Sequence, residues 1–533
     1  MSSDYTPVDQ VKPAYDEIVK TFLTGKTRSI KWRKQQLKQL GFLIQDNEAA
    51  FIKALRSDLS RPEFETTIAE LNPLKTDVNE AYDHLDKWAK PVKAKTTAVW
   101  ALANAYIYNE PKGAVFIIGT WNYPLVLLLS PLVGAIAAGC TALLKPAEQA
   151  PAVAKLVQEL LPKYLDTSAY KIILGAVDQV TRALELKFDH IFYTGSGGIG
   201  KIIARAAAEH LTPFTLELGG KSPAVVFDDA NIDITARRIM WGKFVNSGQT
   251  CISPDYVLCT ADVQDKLVAA MQKVYKEFTT DAKGQEKSMV NGEGYARIVN
   301  MNHFGRISTM LDETKGRVVV GGGRNKETGK IETTIIADVG ADDPLMKGEI
   351  FGPVMPIVVK QTKEEMVEFI QERDNPLALY VFTQSTKNRD YIFERTRSGG
   401  FVQNDTILHF TIPGLPFGGA GASGIGAYHG KWSFDTFSHQ RASAHIPTWM
   451  DVALNSRYPP YTRECLTHPK TWPQESFTNQ FMFTRSLIIA KKLKMMLLAT
   501  KAVIKRESKW SLKSLFGVLA VVAAIVRYRQ SKL

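Results

Sequence analysis

The sequence predicts an α/β protein built on doubly wound parallel sheets, and three observations predict it. Continuous apolar strands alternate with apolar helices from Ala114 onward. The same alternation resumes in the second half of the chain. Polar, proline-spaced segments set the ends apart from that body. Strands buried on both faces read as unbroken apolar runs, which is what a parallel sheet covered by helices requires.

The elements follow in chain order. Helical spacing of apolar residues opens the chain, roughly over Val11–Leu55 and then Thr66–Lys90. "AVFIIG" reads as a buried strand, "PLVLLLSPLVGAIAAG" as a buried helix and "CTALLKP" as a second strand, which together make a βαβ unit. The alternation continues through "PAVAKLVQELLPKY", "YKIILG", "QVTRALEL", "DHIFYTG" and "IGKIIARAAAEHL", giving a doubly wound first half. The second half runs "YVLCT", a helix from Asp262, "TTIIAD", "PVMPIVV", "KEEMVEFIQE", "ALYVFT" and "NRDYIFERTR". "RYPPY" at Arg457–Tyr461 and the proline-spaced "THPKTWPQ" then lead into a tail.

Composition removes several function classes. With 533 residues, 45% hydrophobic and 23% charged, the chain has the make-up of a globular enzyme of two or more domains. Four cysteines without paired spacing give no disulfide framework, and no Cys/His cluster offers a metal site. The acidic N-terminus lacks the apolar core of a signal peptide. The net charge of +12 hints at nucleic acid until it is located. From Arg485 to Leu533 there are twelve Lys/Arg and one acid, Glu507, so about +1 remains on the other 484 residues. The body is near neutral, and no nucleic-acid partner is expected.

Two motifs carry chemistry. "YTGSGGIGK" places Gly195, Gly197 and Gly200 in GxGxxG spacing between a strand and a helix, where backbone can approach a pyrophosphate. An acid about twenty residues on, Glu217, stands where a ribose clamp is sought. "TLELGGKSP" nevertheless puts it at a strand end facing two glycines, a setting for a catalytic carboxylate. Lys145 and Glu148 in "LLKPAEQ" are the better ribose candidates, at the carboxyl end of a parallel strand. The second motif is "FVNSGQTCISPDY". A lone cysteine is ordinarily core, but the small and polar neighbours Asn246–Thr250 suit a cleft and a reactive thiol at Cys251.

In order along roughly residues 10–465, "GTWNYP", "LLKPAE", "YTGS", "LTPFTLELGGKSP", "NSGQTCISPDY", "GEIFGPV", "PFGGAGASGIGAYHGKWSFDTFSHQR" and "RYPPY" resemble the aldehyde dehydrogenase superfamily, in its class 3 and fatty aldehyde branch. The resemblance implies that Cys251 is the nucleophile, Glu217 the general base and Asn122 the oxyanion-hole amide. It implies cofactor contacts at Lys145, Glu148, Gly195, Ser196, Gly200, Trp121, Glu349 and Phe351. NAD is the implied cofactor, with NADP also accepted, and a homodimer the implied assembly. The implied fold has a Rossmann-like NAD-binding domain over 1–216, with part of a bridging segment near 86–108. A catalytic domain covers 217–404, a bridging and oligomerisation segment 405–461, and the tail 462–533. One departure is the extra glycine of "GSGGIG", which leaves the turn intact.

The residue types suit the chemistry. A thiolate attacks a carbonyl well and leaves well from an acyl group. On the resemblance, Asn122 and the Cys251 N–H would stabilise the oxyanion, and after hydride loss to NAD Glu217 would activate the water that hydrolyses the thioester. An acyl-CoA-linked reductase of the same fold is the enzymatic alternative, and Glu217 argues against it, since a hydrolytic base would waste the thioester. A non-catalytic membrane scaffold is the other alternative.

The tail distinguishes the chain. In "RSLIIAKKLKMMLLATKAVIKR", Lys491, Lys494, Lys501 and Lys505 share one helical side, with Leu493, Met496, Leu497, Val503 and Ile504 on the other. "LFGVLAVVAAIV" from Leu515 is twelve apolar residues, about 18 Å as a helix against a bilayer core of about 30 Å. Extended from Trp510 to Tyr528, with Lys513 snorkelling, the run reaches about 28 Å, so the expectation is a tail that spans a lipid membrane marginally or lies embedded in it, with long-chain aldehyde as substrate. Ser531-Lys532-Leu533 matches the SKL address read by the peroxisomal import receptor, so a peroxisomal membrane is expected, with the endoplasmic reticulum membrane as the alternative.

Overall fold

The computed structural model describes residues 5–97, 100, 102–451 and 457–461, so the tail 462–533 lies outside the described residues. Two compact units are present: one of the residues up to Val92 with Tyr106–Ser443, the other of Lys93–Ala105 with the residues from Ala444.

In the first unit the opening helical pattern forms the helices Val8–Leu23, Ile30–Asp46, Glu48–Leu59 and Asn72–Trp88. Ser29 caps the second of these, its hydroxyl accepting the Trp32 N–H at 3.3 Å. A π-helical turn, Thr67–Leu71, precedes the last and leaves Glu70 fully buried. Such turns recur at functional sites, and this one turns the Glu70 carboxylate toward Arg61 and the start of the helix Val126–Ala138.

The first sheet runs in the order Tyr170–Ile172, Thr141–Lys145, Ala114–Ile118, His190–Thr194, Phe214–Glu217, all parallel, with Gly424–Ile425 antiparallel at the far edge. Strand order therefore reverses between Ala114–Ile118 and His190–Thr194. A crevice for ligands opens outside the carboxyl ends at such a switch point. The helix Val126–Ala138 is buried at every residue, as its all-round apolar sequence demands. Each large aliphatic side chain buried there is worth about 1.5–3 kcal/mol.

The second sheet has the order Arg317–Val320, Thr334–Ala337, Val354–Val359, Tyr256–Cys259, Pro223–Val226, Ala378–Phe382, Gly400–Gln403, parallel except for its Arg317–Val320 edge. The sequence reading passes over Pro223–Val226, which is only four residues long and opens on a proline. It also passes over the pair Tyr106–Pro111 and Ser438–Ser443, which are antiparallel to each other. These strands are half-exposed or exposed and polar, so no apolar period marks them. In the second unit, Ala94 N–H donates to Ala105 O at 2.9 Å and His445 N–H to Ala103 O at 2.9 Å. Among the described residues no helix is long and apolar enough to cross a membrane.

Candidate active site

The loop before Cys251 is held in an unusual conformation. Asn246 and Ser247 have φ of 51° each and Gly248 has 66°, three left-handed residues in succession. For residues with a side chain such a conformation costs on the order of 1–3 kcal/mol and persists only where the surroundings impose it. Here they do. The Asn246 amide donates to Asn122 O at 3.0 Å and to Gln249 O at 3.1 Å, and its N–H donates to Glu65 at 3.0 Å. The Ser247 hydroxyl donates to Ala296 O at 2.5 Å. Gly248 lies so close to the chain of "GEIFGPV" that an added Cβ would stand 2.3 Å from Gly352 O. The Gln249 amide donates to Arg297 O at 2.9 Å, and its carbonyl accepts from Val299 N–H at 2.9 Å.

A buried arginine ties this loop to the segment holding Asn122. Arg61 donates to the Asn122 carbonyl, to Asn246 Oδ1 at 3.3 Å and to Glu70, and its guanidinium lies 4.7 Å from the Tyr123 ring centroid. Glu70 in turn accepts the N–H groups of Leu125 and Val126 at 2.8 and 2.9 Å, capping the start of the buried helix. The charge is thus paired and fully hydrogen-bonded, which a buried ion requires.

Cys251, half-buried, opens onto a cavity of about 500 Å³. Asn122 and Glu217 line the same cavity. One Asn122 amide hydrogen goes to Gln249 O at 3.1 Å; the second has no protein acceptor among the described residues. Glu217 closes the strand Phe214–Glu217, and both its carboxylate oxygens are buried without a partner among the described residues. Its backbone carbonyl accepts the Gly195 N–H at 2.9 Å, so the glycine turn and this carboxylate are joined directly.

Burial pushes the Cys251 thiol up, and the nearby charges of Glu349 and Glu217 push it the same way. Burial also holds the Glu217 carboxyl well above the usual carboxylate range. Glu349 is pushed up to about 8, first by burial and then by Asp255. The site therefore favours a protonated thiol and neutral acids, and ionising any one group opposes ionising the next.

The remaining expected residues line the same cavity, apart from one. Trp121 and Phe351 line it, packed edge to face at 5.3 Å, with Glu349 nearby on the same wall. Lys145 ends its strand and pairs with Glu148; both line the cavity, as do Gly195 and Ser196. Gly200 does not line it. It is buried beneath, where an added Cβ would meet Leu218 Cδ2 at 2.9 Å, so it sets how closely its helix lies on the sheet. Ser196 caps that helix, Gly197–Glu209, and a Cβ at Gly197 or Gly198 would meet only open space.

These features fit a dinucleotide. Space is open beside Gly197 and Gly198 at the start of the helix, where an anion site can form. The Thr194 hydroxyl is buried without a partner among the described residues. Lys145 and Glu148 offer a donor and an acceptor at the switch point. Val177, Ile199 and Ile202 expose apolar side chains into the same cavity, a slot suited to a flat ring. Sequence reasoning missed that slot, although these three residues stand off the buried faces of their helices. It also missed His303, which packs 5.4 Å from Trp121, and Tyr428, whose buried hydroxyl has no partner among the described residues. Neither sits in a spacing that signals chemistry.

Comparison with known proteins agrees with this geometry. The model of the aldehyde dehydrogenase family matches residues 4–442. Aldehyde dehydrogenase family 3 member A2 of Rattus norvegicus is 43% identical over 457 residues, covering 86% of this chain and 93% of the relative. The dimeric NADP-preferring aldehyde dehydrogenase of the same species is 43% identical, covering 85% of this chain and 97% of the relative. Among solved structures, the substrate-bound state of Staphylococcus aureus AldH superposes with a TM-score of 0.81 at 37% identity, over 85% of this chain and 97% of that one. The NAD+ complex of Mycobacterium tuberculosis aldehyde dehydrogenase shares the fold, with a TM-score of 0.73 at 24% identity over 83% of this chain and 91% of that one. A thiol, an amide and an unpartnered carboxylate on one cavity, in a chain so matched, leave one assignment: this protein belongs to the aldehyde dehydrogenase family.

Proposed function

We propose that the protein oxidises medium- and long-chain aliphatic aldehydes to fatty acids with NAD, using NADP as well, through Cys251, Asn122 and Glu217. The observation that carries the reading is the convergence of these three side chains on one cavity, with the Glu217 carboxylate left without a partner among the described residues.

The residues divide the work. The Cys251 thiol gives its proton to solvent water, and the sulfur adds to the aldehyde carbon as the C=O π electrons move onto oxygen. The free amide hydrogen of Asn122 and the Cys251 N–H stabilise the oxyanion that forms, each such donor being worth about 2.7–4 kcal/mol. A nicotinamide cofactor, when bound, supplies the acceptor for the hydride given up by the aldehyde carbon. Lys145, Glu148, Gly195, Ser196, Trp121, Glu349 and Phe351 would hold it. Glu217, once ionised, takes a proton from the water that attacks the resulting acyl-sulfur bond, and Cys251 leaves as thiolate. Glu148 repels a 2′-phosphate, whereas its ion pair with Lys145 softens that repulsion, which supports NAD with NADP as a second cofactor. A hydrolytic base in the cavity also speaks against an acyl-CoA-linked reductase.

The chain preference rests on the tail. Its basic and apolar pattern supports attachment to a lipid surface, where long-chain aldehydes concentrate. We place the enzyme at the peroxisomal membrane through Ser531–Leu533, with the endoplasmic reticulum as the other site, and as a homodimer. The partition of the body into 1–216, 217–404 and 405–461 belongs to the same reading. The test is NADH formation with hexadecanal by the full chain in detergent, compared with forms lacking Ser531–Leu533 or ending at Tyr461. The intact form should be peroxisomal and resist carbonate extraction. The first truncation should leave peroxisomes yet remain membranous, and the second should be soluble and still oxidise short aldehydes. A form ending at Tyr461 that stays in the membrane pellet would contradict the role given to the tail.

A further inference from the structure

Two cations hold four carbonyls of one short loop. The loop 345–351 carries Glu349 and Phe351, and the strand Val354–Val359 begins only after it. Lys221 donates to Leu345 O at 2.6 Å and to Gly348 O at 3.0 Å. Arg306, on the helix Met301–Glu313, donates to Ile350 O at 2.6 Å and to Glu349 O at 3.4 Å. The Asp255 carboxylate accepts the Ile350 N–H at 3.2 Å. Phe351 follows with φ of 47°, a left-handed conformation that persists only where the surroundings impose it.

The same groups reach the segments of the base and the nucleophile. Lys221 stands four residues after Glu217, across Gly219 and Gly220. Asp255 stands four residues after Cys251 and is buried. The two are joined, Lys221 Nζ lying 2.6 Å from Asp255 Oδ2, while the fully buried Lys243 lies 3.4 Å from Oδ1. A buried carboxylate between two ammonium groups has its charge paired and its oxygens occupied, as a buried ion requires. The Glu349 carboxylate turns back onto the same glycines. It accepts a backbone hydrogen bond at Gly220 and fills the space where a side chain on Gly219 would stand. The segments of Glu217, Cys251 and Glu349 therefore meet at one ion pair.

The two cations differ in reach. Arg306 donates to the loop and to Met310 of its own helix, with no hydrogen bond to the segments of Glu217 or Cys251 among the described residues. Lys221 binds the loop from the opposite side and ties it to Asp255. Loss of either cation frees two carbonyls of the loop, while the Cys251 loop keeps its bonds to Asn122, Glu65 and Ala296.

We propose that Lys221 and Arg306 are positioning residues for the cofactor half of the reaction: they set Glu349 and Phe351 on the nicotinamide-ribose side, so that hydride transfer depends on them and hydrolysis of the acyl enzyme does not. The proposal rests on the aldehyde dehydrogenase reading above, with Glu349 and Phe351 as cofactor contacts, and adds the groups that hold those contacts in place.

Two measurements on the full chain in detergent test it, with Arg306→Met and Lys221→Met. The first is calorimetric titration with NAD and with ADP, which lacks the nicotinamide riboside. The Kd for NAD should rise ~10-fold in each variant, the scale of a charge-assisted hydrogen bond, and the Kd for ADP should stay within ~2-fold. The second compares NADH formation from hexanal with hydrolysis of 4-nitrophenyl acetate, which needs no cofactor. In the ester reaction the Cys251 sulfur adds to the acetyl carbon and 4-nitrophenolate leaves with the bonding pair. Water then cleaves the acyl-sulfur bond with Glu217 as base, releasing acetate and the thiol. The kcat for hexanal should fall ~10²-fold, the scale of a misplacement of about 1 Å, with ester hydrolysis within ~2-fold of wild type. Arg306→Lys, which keeps a cation, should lose less than Arg306→Met. Lys221→Met leaves Asp255 with Lys243 alone; should it fail to fold, Arg306→Met decides. Equal loss of NAD and ADP binding, equal loss of the two reactions, or variants that match wild type would overturn the proposal. A wild type that binds no NAD would instead refute the cofactor reading on which it rests.

Discussion

The two ends of the catalytic cavity are built from different material. The end holding Lys145, Glu148, Gly195 and Ser196 is made of strand ends, a glycine turn and a helix start, and it leaves open space beside Gly197 and Gly198. The end holding Cys251 is made of side chains drawn from distant segments, and it leaves the Glu217 carboxylate without a partner among the described residues. One end is ready for an anion. The other resists charge until a reaction brings it, because burial raises Cys251, Glu217 and Glu349 together. The contrast teaches that binding and chemistry are kept apart electrostatically within one cavity.

The comparison can be broken at several points. Cys251→Ala should remove turnover by ~10⁴-fold or more while NAD still binds, as measured by steady-state rate and by calorimetry. Turnover near wild type would refute the thiol's role. Asn122→Ala should lower kcat by ~10²–10³-fold, the usual loss of one oxyanion donor. Its thermal stability should also be followed, since the Asn122 amide donates to Gln249 O in the loop before Cys251. Glu349→Gln sharpens the electrostatic half. Glu349 is raised from 4.5 to about 8 in the folded protein, so its contribution to stability is full below pH 4.5 and lost as pH rises through about 8. The variant should therefore lose less stability than wild type between pH 5 and 8 in denaturant titrations, and parallel curves would contradict the raised carboxyl. The smallest effect belongs to the other end. Glu148→Gln should shift the NADP/NAD ratio of kcat/KM several-fold toward NADP, because only a partly exposed, paired charge is removed.

The two ends were also unequally legible in the sequence. The binding end follows from local rules: a parallel strand ending at Lys145, and a glycine run between the strand His190–Thr194 and the helix Gly197–Glu209. Gly200 shows the limit of that reading, since its spacing announces a turn but its place is under the helix, against Leu218. At the thiol end, "NSGQTC" marks a cleft, yet nothing local shows that Arg61, Glu65 and Asn122 fix it in space. Those partners lie more than a hundred residues away, and only the fold brings them together. His303 and Tyr428 were missed for the same reason. The polar strands Tyr106–Pro111 and Ser438–Ser443 were missed because an exposed strand carries no apolar period.

The most direct test of the division between nucleophile and base is rapid mixing of Glu217→Gln with NAD and hexanal. The account predicts a burst of NADH equal to the number of active sites, followed by a steady rate ~10²–10⁴-fold below wild type. Intact mass measured after the burst should show the acyl group on Cys251. A variant with neither burst nor acyl adduct would mean that Glu217 is needed to activate the thiol, and a variant that turns over like wild type would mean that the water is activated elsewhere.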